Sequence, residues 1–246
     1  MIKKICFILL TICFIAFTAQ GQYAYEKHDS KGRKKILSAL GIAGGITYGK
    51  DVFSPQEGPL AQERYLLGFN AAILAELFHH PVYRWRIELG YNQLGTTELM
   101  YVPAGQKIAA RTNYISLNNY LKVNFKEETS AFIPYFLIGP RVEYLLTRGS
   151  GVYQAQYDAF YKFHVTGSIG IGAEMTWRNA LRPFVEVLYN HDLMVSYHYN
   201  GDPIGGNNFY PTDFIYRGYE LRIGLKYFFD GIPKDVCPKV DNPMGN

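Results

Sequence analysis

Apolar and polar residues alternate along most of this chain, most clearly near its end. From residue 218 to 229 the odd-numbered positions are apolar or aromatic, while the even-numbered positions include Glu220, Arg222 and Lys226. A period of two is typical of a β-strand with one apolar face. No amphipathic helix is evident to cover such faces, so we expect them to contact lipid. Because a sheet crosses a bilayer only when every edge is paired, the pattern predicts a closed transmembrane β-barrel.

Eight segments share this pattern, and each exceeds the roughly 9 to 11 residues that a tilted strand needs to cross the hydrocarbon. The segments are 36–48, 64–78, 82–94, 112–125, 132–147, 160–177, 182–195 and 214–229. After the N-terminal region no apolar run reaches the ~18 residues of a transmembrane helix. The predicted fold is an all-β, eight-stranded, antiparallel up-and-down transmembrane β-barrel over residues 36–229.

The joins between these segments alternate strictly between short and long. The short joins are 79–81, 126–131 and 178–181, and the long joins are 49–63, 95–111, 148–159 and 196–213. Outer-membrane barrels have short periplasmic turns and longer outer loops. The alternation and the even strand count therefore place both termini in the periplasm and the protein in the cell outer membrane.

Residues 1–21 predict a secretory signal peptide. Lys3 and Lys4 precede a short apolar run, and Ala19 and Gly21 occupy the small-residue positions of a cleavage site. Lipid attachment at Cys13 is disfavoured, because the residues before it lack the small side chain that this modification requires. Residues 22–35 would then form a periplasmic N-terminal segment.

The charge, aromatic and cysteine content of the chain limit the kinds of partner and ligand that we expect. The chain has 25 Lys and Arg against 21 Asp and Glu, and Lys3 and Lys4 leave with the signal, so the mature protein is nearly neutral and no nucleic-acid surface is expected. The 21 Tyr and 16 Phe suit a protein with aromatic girdles at two membrane interfaces. Neither a cysteine metal site nor a disulfide framework is expected, because Cys237 is the only thiol of the mature chain.

The parity of each strand assigns a set of charged side chains to the barrel interior. The interior charges are Arg84, Arg86, Glu88, Lys122, Arg141, Glu143, Glu174, Glu186, Glu220, Arg222 and Lys226, together with the phenols of Tyr114 and Tyr120. Eight strands leave a bore just wide enough for side chains to fill. Buried charges of both signs require partners, so we favour an ion-pair network that plugs the barrel. The alternative is a polar conduit or a proton-linked gate.

The opposite parity gives outward rows that are apolar at their centres and aromatic near their ends. The rows contain Tyr83, Trp85, Ile87, Leu89 and Tyr91; Ile115, Leu117, Leu121, Val123 and Phe125; Phe136, Ile138, Val142 and Tyr144; and Val165, Ile169, Ile171, Met175 and Trp177. Asn119 interrupts the second row, where we expect a bulge or a shifted register.

Several segments resemble the PorT-like outer-membrane β-barrel family of the Bacteroidota. They are YISLNNYLKVNF at 114–125, IPYFLIGPRVEYLL at 133–146, GSIGIGAEM at 167–175 and the closing YELRIGLKYFF, with Pro134 and Gly139-Pro140 as their most specific part. The resemblance covers nearly the whole mature chain. It implies a small porin-family barrel with no shared catalytic residues, some of whose relatives support the protein-secretion and gliding machinery of that phylum. Unlike the common ending, residues 230–246 follow Phe229.

One strand carries residue types used in acyl transfer. His164, Thr166, Ser168 and Glu174 share one parity, as a histidine, hydroxyls and a carboxylate. At about 3.3 Å per residue, however, His164 and Glu174 are roughly 33 Å apart. A carboxylate from a neighbouring strand could lie closer to His164. Because no base and orienting group can be identified, a polar lumen row is favoured over a catalytic site.

Two histidine groups and three glycine-rich stretches are weak candidates for a metal site and for phosphate-binding loops. His79 with His80, and His191 with Asp192 and His198, contain metal-ligand types without a recognised ligand spacing. The stretches 41–45, 167–172 and 201–206 lack the context of a phosphate-binding loop, and glycines in the first two indicate close backbone approach. We therefore predict no metal and no cofactor.

The last long join is rich in aromatic residues: Tyr197, Tyr199, Phe209 and Tyr210. Exposed aromatics among turn residues fit an outer-loop contact patch for a glycan or a protein. They fit an interfacial aromatic girdle equally well.

Residues 230–246 predict a disordered periplasmic C-terminal tail, because Pro233, Pro238 and Pro243 oppose further strand or helix. Cys237 in this tail would be either a tether to a partner protein or an unused thiol. A higher-mass species on non-reducing gels that disappears in Cys237→Ser would identify a tether.

The leading functional interpretation is a non-enzymatic outer-membrane barrel with a structural or interaction role, a plugged lumen and no open pore. Its partners would be outer-membrane lipid and a protein of the envelope or secretion machinery. The alternative is a membrane-embedded lipid-modifying enzyme, an acyltransferase or deacylase. Lipid A from a deletion strain separates the two, because only the enzyme would change its acyl pattern.

Overall fold

The computed structural model describes residues 36–54, 64–78, 80, 82–99, 107–126, 130–148, 161–177, 180–195, 197–199 and 212–229. The strands are β1 (Leu37–Ser54), β2 (Arg64–Leu77), β3 (Tyr83–Leu99), β4 (Lys107–Asn124), β5 (Phe132–Arg148), β6 (Phe163–Met175), β7 (Leu181–Asp192), β8 (Tyr197–Tyr199) and β9 (Thr212–Phe228). Within these ranges no helix is long and apolar enough to cross a membrane.

The sheet closes on itself. Each strand from β1 to β6 pairs antiparallel with the next, β7 pairs with β9, and β9 pairs back with β1 over a ladder from Ala39↔Phe228 to Ser54↔Asp213. Eight strands complete the wall, which confirms the predicted all-β, eight-stranded antiparallel barrel. The short β8 is an addition that the sequence did not predict. It pairs with the start of β9, beyond the point where β7 ends.

Several strands run further toward the long loops than predicted. β1 continues to Ser54, β3 continues to Leu99, and β4 already begins at Lys107, inside joins that were expected to be irregular. The cause is that each extension has a partner: β1 pairs with β9, and β3 pairs with β4, along their full lengths. Backbone pairing thus continues where the apolar alternation on which the prediction rested has already ended.

Burial alternates along the strands, as a barrel with a filled interior requires. In β7 the even-numbered residues from Arg182 to Asp192 are buried, and the odd-numbered residues are half-buried or exposed. All members of the predicted outward rows are half-buried or exposed. Asn119 lies in continuous register with Ile87 of β3, so the bulge or register shift expected there is wrong. The irregularity between β4 and β5 is at Asn113 and Tyr114.

Aromatic residues border an apolar band on the outer wall. On β3, Tyr83 and Tyr91 lie at the two ends of the apolar row, and on β9 Tyr227 and Tyr219 do the same. Each pair is eight residues apart, or about 26 Å along the strand. At a strand tilt of about 40° the height is roughly 20 Å, close to the ~25 Å apolar band of outer-membrane barrels.

Small residues on the inner face of β1 provide space for the long side chains of β9. A Cβ atom on Gly41 would lie 2.7 Å from Cγ of Lys226, and one on Gly45 would overlap the backbone oxygen of Leu221. Glycine at these positions allows the close approach of β1 and β9 that closes the barrel.

Candidate functional site

Among the side chains that the structure describes, the barrel interior contains a balanced set of buried charges. Seven are basic and seven acidic, and each is at most 5% exposed: Arg84, Arg86, Lys122, Arg141, Arg182, Arg222 and Lys226, with Glu76, Glu88, Glu143, Glu174, Glu186, Asp192 and Glu220. All eleven charges assigned to the interior by parity are in this set, and Tyr114 and Tyr120 are buried beside them. Glu76, Arg182 and Asp192 were missed, although each has the inward parity of its strand.

Glu76 on β2 is the centre of the short-turn end of the interior. Its carboxylate oxygens lie 3.1 Å from Arg84, 3.2 Å from Arg86, 3.2 Å from Lys122 and 2.6 Å from Lys226. Glu76 is fully buried, as are all four partners to within 1%. One carboxylate thus holds four cations from β3, β4 and β9 together.

Glu174 on β6 shares two of these cations. Both Lys122 and Lys226 donate hydrogen bonds to its Oε1, and Nη1 of Arg182 lies 3.9 Å from its Oε2. The guanidinium of Arg182 also stacks on Phe228 at 4.1 Å from the ring centroid. The two lysines therefore bridge carboxylates on β2 and β6, and an aromatic ring supports the charge at the rim.

Most pairs in the middle of the barrel join strands that are not neighbours. Nη1 of Arg86 lies 2.7 Å from Glu186, which also accepts hydrogen bonds from Tyr135 at 2.8 Å and from Arg222. Arg222 in turn lies 2.8 Å from Glu88. These contacts link β3, β5, β7 and β9 across the interior.

Arg141 organises the end nearer the long loops. It donates hydrogen bonds to Glu220 at 2.6 and 3.1 Å and lies 3.6 Å from Glu143. Asn190 donates to Glu220 at 2.9 Å, and Thr166 donates to Glu143 at 3.1 Å. Amide and hydroxyl groups thus satisfy the carboxylate oxygens that a single guanidinium leaves open.

The buried charges are distributed differently at the short-turn end and the long-loop end of the interior. Around Glu76 and Glu174 there are five cations, whereas toward the opposite end Arg141 contacts Glu143 and Glu220. Among the described side chains, most of the interior cations therefore lie toward the short turns. The charges also lie against an apolar cluster of Tyr120, Tyr135, Leu137 and Leu188, and this low-dielectric wall strengthens each pair.

Of the residues considered for acyl transfer, Ser168 and His164 do not form a nucleophile and base pair, and the Thr166 hydroxyl donates to Glu143 and Asp192. Ser168 Oγ donates to Oδ1 of Asn190 at 2.6 Å, so its proton is held by an amide oxygen. The His164 ring packs edge-on against Tyr114 at 5.3 Å. Both His164 and Ser168 are at most 4% exposed in the interior, away from the lipid-facing wall.

The histidines considered, and disfavoured, as metal ligands make other contacts. His191 and Asp192 lie on opposite faces of β7, so they are not a ligand pair. Nδ1 of His80 accepts hydrogen bonds from the backbone N–H groups of Val82 and Tyr83, at 3.2 and 3.1 Å, and so supports a short turn. His79 lies outside the described residues. In the described part of the chain no group of three His, Cys, Asp or Glu is placed to hold a metal.

Other sequence predictions fall wholly or partly outside the described residues. Tyr197 and Tyr199 belong to β8 rather than to a loop, and they pair with Phe214 and Thr212 of β9. The remaining predicted features lie outside the described residues: the signal peptide 1–21, the segment 22–35, Phe209, Tyr210, the tail 230–246 and Cys237.

A family comparison agrees with the closed barrel. Residues 19–200, well over half of the chain, match the family described as outer membrane protein beta-barrel domain. The chain belongs to this family. Membership in this family places the protein in the outer membrane. The apolar outer wall between two aromatic girdles agrees with this placement. No curated protein sequence matches the chain.

Several solved outer-membrane protein structures are similar to this chain at low sequence identity. OprG from Pseudomonas aeruginosa is 12% identical, with a TM-score of 0.50, over 79% of this chain and 97% of its own. Neisserial surface protein A is 14% identical, with a TM-score of 0.45, over 78% of this chain and 99% of its own. The outer membrane protease OmpT from Escherichia coli is 12% identical, with a TM-score of 0.35, over 78% and 97%. At these identities the likeness concerns the fold alone.

Proposed function

We propose that this outer-membrane barrel is a non-enzymatic, non-conducting protein with a structural or interaction role. Its interior serves stability, and its contacts with other molecules are made outside the bore. The observation that carries this proposal is the balanced ion-pair network, in which seven basic and seven acidic side chains fill an eight-stranded interior.

Several ion pairs run across the bore of the barrel, and this arrangement supports a plug. Arg222 on β9 reaches Glu88 on β3, and Arg86 on β3 reaches Glu186 on β7. Both pairs connect strands that are not adjacent in the sheet, so the side chains cross the bore instead of lining it. Passage of an ion would require such pairs to separate, which leaves buried charges without partners; removing one partner of a buried pair costs about 3–5 kcal/mol.

Planar-bilayer recording of the refolded protein tests the plug. We expect a folded, heat-modifiable protein that gives no stable large single-channel currents. The double variant Arg86→Ala/Glu186→Ala, which removes two crossing side chains, serves as the positive control and should conduct more. Stable large currents from the wild-type protein would overturn the plug.

The interior location of His164 and Ser168 argues against the lipid-modifying alternative. Acyl chains of membrane lipids contact the outer wall, whereas these side chains lie inside the barrel. Lipid A from a strain lacking the protein should therefore be unchanged. An altered acyl pattern that returns on complementation would support the enzyme instead.

We further propose that the protein is PorT-like, with both termini in the periplasm and a protein of the envelope or secretion machinery as partner. The segments that resemble this family support the affiliation. The start of β1 and the end of β9 lie together at the end with the short turns, since Ala39 pairs with Phe228. Outer-membrane barrels have their short turns on the periplasmic side.

Affinity purification from detergent-extracted outer membrane tests this partner. The intact chain should retain an envelope protein that a chain ending after Phe229 releases, because the tail 230–246 is a proposed contact. Equal retention of the envelope protein by the two chains would mean that the tail is not its contact. Protease added to intact cells should leave a tag at either terminus uncut, and cleavage there would overturn the orientation.

A further inference from the structure

The outer wall carries a row of basic side chains near the end with the long loops. Lys50 on β1 is paired directly with Arg217 on β9, and Arg217 is paired with His191 on β7. All three have the outward parity of their strands. Arg217 is exposed, and Lys50 and His191 are half-buried. None of the three belongs to the ion-pair network of the interior.

A row of tyrosines lies directly below these basic residues, toward the hydrocarbon. Tyr48 on β1 stacks on Tyr65 of β2, with ring centroids 4.7 Å apart, and pairs across the ladder with Tyr219. Tyr219 contacts Tyr189 of β7 at 5.3 Å. Tyrosines collect at membrane interfaces. The basic row is two residues further along each strand, or roughly 7 Å, which is the level of the lipid headgroups.

This row is electrostatically incomplete. Like charges directly opposite each other on an antiparallel ladder are destabilising. Lys50 lies over the Tyr65 ring at 5.4 Å, and among the described side chains neither Lys50 nor Arg217 has a carboxylate partner. A single anion between Lys50 and Arg217 would remove the repulsion and complete these contacts.

We propose that Lys50, Arg217 and His191 form a binding site for a phosphate-bearing lipid headgroup in the leaflet that meets the long-loop end. Arginine binds phosphate through a bidentate fork, and lysine and histidine supply further donors. The apolar wall below the tyrosines fits the acyl chains of the same molecule, since Ile46, Leu221 and Ile223 are 46%, 45% and 67% exposed. This continuity with a lipid-facing surface favours a lipid over a soluble anion or a protein.

The inference rests on the outer-membrane placement of the barrel and is independent of the plug. Basic residues near a membrane surface each strengthen binding of anionic lipid by about 1 kcal/mol. Removing two of them should therefore weaken binding roughly thirtyfold, because every 1.4 kcal/mol is tenfold.

The experiment titrates the full mature chain, refolded in neutral detergent, with bisphosphorylated lipid A or with phosphatidylcholine. Lys50→Gln/Arg217→Gln is the test variant. Lys126→Gln/Lys162→Gln is the matched control, because it removes two exposed charges elsewhere on the barrel. We expect wild type and control to bind lipid A in preference to phosphatidylcholine, and the test variant to bind it roughly thirtyfold more weakly.

Two results would overturn the proposal. Equal weakening in test and control variants would mean that net charge, and not this row, attracts the lipid. Displacement of lipid A by inorganic phosphate at comparable concentration would identify a site for the free anion. The test variant should remain as non-conducting as wild type, so the outcome here is separate from that of the plug.

Discussion

Arg141 on β5 donates two hydrogen bonds to Glu220 on β9, at 2.6 and 3.1 Å, from the opposite side of the barrel interior. Two strands, β6 and β7, separate β5 from β9 in the sheet. Both side chains are 1% exposed. The pair therefore joins walls that no backbone hydrogen bond connects directly.

Replacing Arg141 with Ala should lower the free energy of unfolding by roughly 3–5 kcal/mol, because Glu220 would stay buried with much less compensation. Its remaining contacts are the Asn190 amide at 2.9 Å and Arg222 at 4.0 Å. The midpoint of the heat-induced gel shift, or denaturant unfolding in detergent, measures this loss.

The double variant Arg141→Met/Glu220→Leu is the control for this pair. Replacing both partners of a buried ion pair with apolar residues is often neutral or stabilising. We therefore expect the double variant to unfold at a higher temperature than Arg141→Ala. Wild-type stability in the single variant would contradict a network in which Arg141 holds Glu220.

Glu76 should be the most sensitive carboxylate of the interior. Glu76→Gln keeps the shape of the side chain but leaves four buried cations around a neutral amide, and we expect a loss of roughly 3–5 kcal/mol. Glu143→Gln is the matched control: its guanidinium neighbour, Arg141, lies 3.6 Å away and keeps Glu220. The control should cost only about 1–2 kcal/mol. Equal losses in denaturant unfolding would mean that the number of cations around Glu76 is unimportant.

Strand parity predicted much of this site from the sequence. In β9 the alternation is strict, so Glu220, Arg222 and Lys226 could be assigned to the interior without coordinates. Glu76 could have been found in the same way, since Leu74 and Asn70 share its parity and are buried. The strand from Phe132 to Arg148 is harder, because apolar residues occupy both faces near Tyr135 and Leu137. The sequence around Tyr135 therefore contains no alternation of polar and apolar residues that would assign this tyrosine to the interior.

The partner of each charge could not be predicted. Neighbouring strands can be aligned from turn lengths, but Arg222 meets Glu88 only because β9 and β3 come to the same height after the barrel closes. That height depends on the stagger of all eight strands. Register irregularities at Leu37/Ala39, Tyr65/Asn70 and Asn113/Tyr114 change the stagger, and nothing in the sequence marks them.

The seam between β1 and β9 gives a prediction with a close control. A methyl group on Gly45 would overlap the backbone oxygen of Leu221, whereas one on Gly44 would meet its nearest atom, the backbone oxygen of Asn70, at 3.6 Å. Gly45→Ala should therefore reduce the yield of heat-modifiable barrel and lower its melting temperature. Gly44→Ala should behave like the wild type. Similar behaviour of the two variants would show that the seam does not need glycine at 45.

The stability lost on placing a charged residue in the apolar band should depend on the depth of that residue in the bilayer. Ile223 lies midway between Tyr219 and Tyr227 on the outward face of β9 and is 67% exposed. A lysine at the bilayer midplane costs about 2–4 kcal/mol in a transmembrane barrel, and one near the interface about 0–1 kcal/mol. Ile223→Lys should therefore lose roughly 2–4 kcal/mol of stability in lipid vesicles, and Tyr227→Lys, at the girdle, should lose less. If denaturant unfolding in vesicles showed equal losses, the band between the two tyrosines would not be the hydrocarbon-spanning part of the wall.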